Sequence, residues 1–167
     1  MRVFSTVAMS NLFQLPEWPE FAQTITRLVA AALFGGLIGW ERERKNRAAG
    51  LRTHMLVAVG SALFMIGSGV ADAPGDARSR VIQGIIAGIG FLGAGTIIKL
   101  TDRAEVQGLT TAASIFATAA IGMTTACTAL WLPFLGTLIA LATLHPLQKL
   151  EQDSPSNPSG DSEKIDH

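Results

Sequence analysis

The sequence predicts an all-α, polytopic transmembrane helix bundle of about five spans, and three observations carry that prediction. The first is a run of 43 residues between Glu105 and Lys149 that contains no Asp, Glu, Lys or Arg. As helix it would extend about 65 Å at 1.5 Å per residue, roughly two crossings of a 30 Å hydrocarbon layer. The second is a pair of shorter uncharged runs, 19 residues from Thr53 to Ala71 and 18 from Val81 to Ile98, each near the length of one spanning helix and flanked by charge. The third is composition: 49% hydrophobic and 16% charged, with 13 basic against 13 acidic side chains and one Cys in 167 residues. That balance fits one modest domain and excludes a disordered chain, a disulfide scaffold and a strongly basic nucleic-acid binder.

Phe21 to Trp40 forms the first span, and its one charge, Arg27, lies near the start, where a guanidinium can extend to the headgroups. Thr53–Ala71 and Val81–Ile98 supply the second and third. The long run divides at Gly122-Met-Thr-Thr-Ala-Cys-Thr, whose small and hydroxyl residues suit a turn, giving Leu109 to Thr125 and Cys127 to Leu147. Pro133 then falls early in the last span, where a missing N–H is tolerated. Residues 1–20 read as an interfacial segment with Trp18 at headgroup level, 21–150 as the transmembrane domain, and 151–167, with one apolar residue after Glu151, as a disordered cytoplasmic tail.

Basic loops stay in the cytoplasm. With the N-terminus outside, nine of the 13 Lys and Arg fall inside and four, Arg2, Arg27, Arg78 and Arg80, outside. The expected orientation is N-out, C-in. The loop Glu41-Arg-Glu-Arg-Lys-Asn-Arg47 supplies most of the bias.

Gly88-Ile-Gly90-Phe-Leu-Gly93 matches the Gly-x-Gly-x-x-Gly dinucleotide pattern, but no strand precedes it, and Asp102 and Glu105 come too early to be the ribose-binding acid. A soluble dinucleotide enzyme is therefore the weakest reading. Five glycines in the 12 residues from Gly84 to Gly95 would weaken an aqueous helix by about 1 kcal/mol each. In lipid, small residues let backbones approach, and Gly35-x-x-x-Gly39 and Gly84-x-x-x-Gly88 have the matching spacing. The sharper alternative is an unwound helix whose backbone coordinates an ion. Thr110, Ser114, Thr118 and Gly122 recur every four residues and share a helix face, either packing and bonding back to the preceding turn or lining a path for water or a cation.

Glu41, Glu43, Asp102 and Glu105 fall on the cytoplasmic side near Arg42, Arg44, Arg52, Arg103 and His54. Carboxylates with waters suit Mg²⁺, whereas the plainer reading is a solvated, salt-bridged interface. Cys127 has no Cys-x-x-Cys partner, and His54, His145 and His167 lack metal-ligand spacing. No enzyme activity and no resident cofactor are expected. Glycine stripes on the first and third spans could face a second copy as readily as each other, so a homodimer is among the expectations.

Four blocks in order, Gly36-Leu-Ile-Gly39-Trp40-Glu41-Arg42-Glu43, Ala49-Gly50-Leu51-Arg52-Thr53-His54, Gly88-Ile-Gly90-Phe-Leu-Gly93-Ala-Gly95 and Gly108-Leu-Thr110-Thr111-Ala-Ala113, resemble the motifs of the MgtC/SapB family. The resemblance covers about residues 24 to 148. It implies a bacterial inner-membrane protein of about five spans, linked to growth under magnesium limitation, that acts on other membrane proteins, the ATP synthase among them, more than by carrying Mg²⁺. It also makes Glu41, Arg42, Glu43, Gly50, Arg52, Thr53, His54, Gly88, Gly90, Gly93, Gly95, Gly108, Thr110 and Thr111 the functional candidates. Trp40 and Phe116 depart from the family's pattern, and the short polar tail stands where its best-known member carries a folded cytoplasmic domain.

Overall fold

A computed structural model describes residues 17–69, 75–99 and 106–144. Five helices follow one another: α1 (Trp18–Arg44), α2 (Leu51–Gly67), α3 (Gly75–Gly95), α4 (Leu109–Cys127) and α5 (Trp131–Leu144). Between α3 and α4 two short antiparallel strands, β1 (Ile98–Lys99) and β2 (Val106–Gln107), pair Ile98 with Gln107 and Lys99 with Val106. This small hairpin is an addition to the all-α expectation. The expected segments 1–16 and 151–167, together with Asp72, Asp102, Glu105, His145 and His167, lie outside the described residues.

Local chemistry sets the helix ends. Pro19 sits in the first turn of α1, where its missing N–H costs nothing. At the other end Asn46 takes a positive φ of 50°, the Arg47 N–H donates to the Arg42 carbonyl, and the Asn46 N–H donates to that of Glu43. That pairing is a Schellman stop with Asn in the left-handed position that Gly usually occupies. Asn46→Gly should be tolerated, whereas Asn46→Val should lower stability by about 1–2 kcal/mol, read from thermal unfolding in detergent. The Leu51 N–H, first in α2, donates to Glu43 Oε2 at 2.8 Å, so a carboxylate from α1 caps the next helix.

Cations close two other ends. Arg27 donates to the Ala126 carbonyl at the end of α4, and Lys45 Nζ donates to the Leu144 carbonyl of α5 at 2.9 Å. Arg27 therefore reaches a neighbouring helix terminus, where exposed carbonyls carry partial negative charge, instead of extending to the headgroups.

Helix α4 is central and touches all four others, with its closest neighbours α2 and α1. Its buried face runs Thr111, Ser114, Ile115, Thr118, Ala119, Gly122 and Thr125. Outward, large apolar side chains stand exposed on every other helix, including Leu33, Leu56, Phe91 and Trp131. Inside lie Arg42, His54, Ser61 and Thr118. These polar groups are set into an apolar core that includes Ala31, Ile38, Ala58, Ala62, Met65 and Ile115, and large apolar side chains exposed over so many helices suit lipid as the surrounding solvent. Among the described residues, α1 and α4 are long and apolar enough to cross a membrane; α2 and α5 are apolar but shorter.

Three expectations are corrected. The break in the long uncharged run falls at residues 128–130, not at Gly122, which stays helical because its missing side chain admits α2. The last helix accordingly starts at Trp131. Helix α3 runs unbroken from Gly75 to Gly95, taking in Asp76, Arg78 and Arg80, so the unwound-helix reading of its glycines does not hold.

Candidate functional site

Close approach of three helices builds the site. A Cβ on Gly35 would lie 2.6 Å from the His54 carbonyl oxygen and 2.7 Å from Ala58 Cβ; one on Gly39 would lie 2.7 Å from Leu51 Cα. From the other side, a Cβ on Gly122 would lie 2.2 Å from the Ala58 carbonyl oxygen. The backbones of α1 and α4 thus both press on α2, and the side chains at that end of the bundle are driven together.

Arg42 and His54 are 0% exposed. Arg42 Nη2 donates to Thr111 Oγ1 at 3.0 Å, tying α1 to α4. Nε and Nη1 of Arg42 have no hydrogen-bond partner among the described residues. His54 Nδ1 lies 2.9 Å from the Gly50 carbonyl and Nε2 lies 3.1 Å from Ser114 Oγ. A carbonyl only accepts, so Nδ1 carries a proton. In the neutral ring Nε2 then accepts from the Ser114 hydroxyl, a bond that competes with donation to the Thr111 carbonyl at 2.8 Å. Ser114 has one proton and two claimants.

The remaining buried hydroxyls of α4 turn back on their own helix. Thr118 donates to the Ser114 carbonyl at 2.8 Å and Thr125 to that of Ile121 at 2.7 Å. Glu41 is 9% exposed; Lys45 Nζ lies 2.5 Å from its Oε1, but neither carboxylate oxygen accepts a directed hydrogen bond among the described residues.

Glu41, Arg42, Gly50, His54, Thr111 and Ser114 therefore gather at one end of α1, α2 and α4, with Thr118 one turn deeper on α4. Others stand apart. Arg52, Thr53 and Thr110 are exposed, as are Gly84, Gly88, Gly90 and Gly95 on α3. Open space surrounds Gly84 and Gly88, so they make no close helix contact within the chain, while Gly93 meets Ala112 at ordinary van der Waals distance. The stripe begins at Thr111, not Thr110, because 3.6 residues per turn drifts from a spacing of four. Arg42 and Glu41 belong to the interior, not to a solvated interface. Glu43 stays exposed with one oxygen committed to capping α2, and no group of three or more His, Cys, Asp or Glu among the described residues could hold a metal ion. Gly108, at φ 96°, holds the junction between β2 and α4.

Sequence reasoning missed Lys45 as a cap and Thr137, buried and donating to the Pro133 carbonyl at 2.8 Å. A Thr four residues after a helix-starting Pro was the available signal. Thr111→Val keeps the shape but removes the acceptor of Arg42, and should cost about 1–3 kcal/mol in the detergent-solubilised protein. Thr110→Val should be neutral in the same melt.

An MgtC family profile matches residues 28–153. SrpB of Synechococcus elongatus is 44% identical over 139 residues, which cover 75% of this chain and 75% of SrpB. YhiD of Escherichia coli K12, named as a candidate magnesium transporter, is 43% identical over 77% of this chain and 62% of its own length. MgtC of Brucella abortus is 48% identical over 64% of this chain, but the match spans 43% of that protein. No solved structure gives a significant match. With its profile covering most of the sequence and relatives above 40% identity, the chain belongs to the MgtC family.

Proposed function

We propose that this chain is a multi-pass bacterial inner-membrane protein that serves magnesium and membrane-potential homeostasis by regulating partner membrane proteins, without catalysing a reaction. Its five helices cross the bilayer with the N-terminus outside and the C-terminus in the cytoplasm, as the nine-to-four partition of Lys and Arg favours. Arg42, His54, Thr111 and Ser114 then lie at the cytoplasmic end, beneath the basic loop that follows α1.

The observation that carries this reading is the closed interior of α4. Its hydroxyls are engaged by Arg42, by His54 or by their own backbone, and Gly122 sits against Ala58 with no room for a side chain. Such an interior supports a fixed scaffold that offers outer faces to partners, with the ATP synthase among those the family resemblance nominates. The second reading is a Mg²⁺ or other cation transporter using Gly90 and Gly93 of α3 and the hydroxyl face of α4; the name carried by YhiD favours it.

Proteoliposomes loaded with a magnesium-sensitive dye separate the two. The regulator reading expects no Mg²⁺ entry above that of protein-free vesicles. Uptake that is lost in Gly93→Leu while folded protein is retained would establish the transporter instead. Crosslinked complexes recovered from membranes at low and high Mg²⁺ then identify which neighbours depend on the ion.

A further inference from the structure

A cleft of about 660 Å³ opens between α1 and α5, walled by Leu37, Trp40, Leu141 and Ala142. Glu41, Arg44 and Lys45 supply its charged end. From the geometry we infer that this cleft is a binding site for a zwitterionic phosphoethanolamine lipid: its ammonium on Glu41, its phosphate on Arg44 and Lys45, and its acyl chains along the apolar walls. The inference rests on the reading of α1 as a membrane span.

Position comes first. The apolar run of α1 ends at Trp40 and charge begins at Glu41, so the cleft lies where hydrocarbon gives way to headgroups, the depth at which Trp and basic residues concentrate. Trp40 holds the Arg44 guanidinium 5.0 Å from its ring centroid, keeping that cation at the cleft.

Charge selects the ligand. Glu41 lines the cleft nine-tenths buried, and neither of its oxygens accepts a hydrogen bond among the described residues. Oε1 is ion-paired with Lys45, which leaves Oε2 as a buried carboxylate oxygen with no partner among the described residues; that is costly, and what it lacks is a donor. A bare divalent cation would meet Lys45, whose Nζ is already 2.5 Å from Oε1, and Arg44 beyond it. A purely anionic headgroup would satisfy those cations but place its oxygens against Glu41. A primary ammonium joined to a phosphate brings N–H donors to the acid and an anion to the bases, and adds no net charge. Methylation of the ammonium removes those donors while leaving the charge unchanged.

The test uses the full-length chain, purified from membranes in detergent, stripped of lipid, and examined by native mass spectrometry with phosphatidylethanolamine, phosphatidylcholine and phosphatidylglycerol of identical acyl chains. Phosphatidylethanolamine should be retained about tenfold or more over the other two, the ratio expected for a charge-assisted hydrogen bond. Glu41→Gln should erase the preference over phosphatidylcholine, and Ala142→Phe, which fills the cleft from an exposed position on α5, should reduce phosphatidylethanolamine retention to the level of phosphatidylcholine. Equal retention of the three lipids by the unaltered chain overturns the inference, as does a preference that survives both substitutions. Displacement of the lipid by equimolar soluble phosphoethanolamine would overturn the lipid as the source. Fractionation of the chain with membranes is scored separately, so failure of the span reading and failure of the lipid site are distinguishable.

Discussion

Gly122→Ala should unfold or grossly loosen the bundle, lowering stability by about 3 kcal/mol or more, read as loss of a cooperative thermal transition in detergent. The added Cβ would lie 2.2 Å from the Ala58 carbonyl oxygen and 2.9 Å from its Cα. These are backbone atoms inside a helix, so no rotamer change relieves the overlap, and α2 and α4 must separate. Separation would stretch the His54 to Ser114 bond that spans the same two helices. Gly84→Ala is the matched control. It has nothing within 4 Å, so it should melt at or above the temperature of the parent chain.

Gly108→Ala should do comparable damage for a different reason. At φ 96° an L side chain is strained, and its Cβ would fall 2.0 Å from the Thr96 carbonyl oxygen. Backbone strain and overlap together amount to about 4 kcal/mol. Because Gly108 precedes the first turn of α4, the expected loss is local order at Thr111 as well as global stability. Hydrogen exchange should show the N-terminal turn of α4 opening before the rest of that helix. Equal protection in variant and parent would refute the assignment of strain to this position.

The order and number of helices were legible in the sequence, because uncharged runs bounded by charge leave few alternatives in lipid. The Gly35-x-x-x-Gly39 spacing also pointed toward close contact, and α2 lies there. Gly122 carried two incompatible signals, a small-residue cluster that resembles a turn and a place in the four-residue stripe of α4. Tertiary contact decided for the stripe, and the turn moved to the residues after Cys127. The identity of the buried threonine depended on where α4 starts: a one-residue change rotates a helix by about 100° and exchanges Thr110 for Thr111. Arg42 was illegible as a buried residue because its five charged neighbours in Glu41-Arg-Glu-Arg-Lys-Asn-Arg47 read as solvated charge; only the chain reversal at Asn46 shows which side faces α4. The gathered site therefore follows from packing that no single segment encodes.

The central claim is that the polar face of α4 is sealed within protein, and thiol accessibility tests it directly. The chain has one cysteine, so Cys127→Ser gives a cysteine-free background. In that background Thr118→Cys, at a position with 0% exposure, should resist a water-soluble maleimide in native membranes and react only after denaturation, while Gln107→Cys, exposed on β2, reacts at once. Rapid labelling of position 118 in folded protein would reveal a water path along α4 and contradict the sealed scaffold.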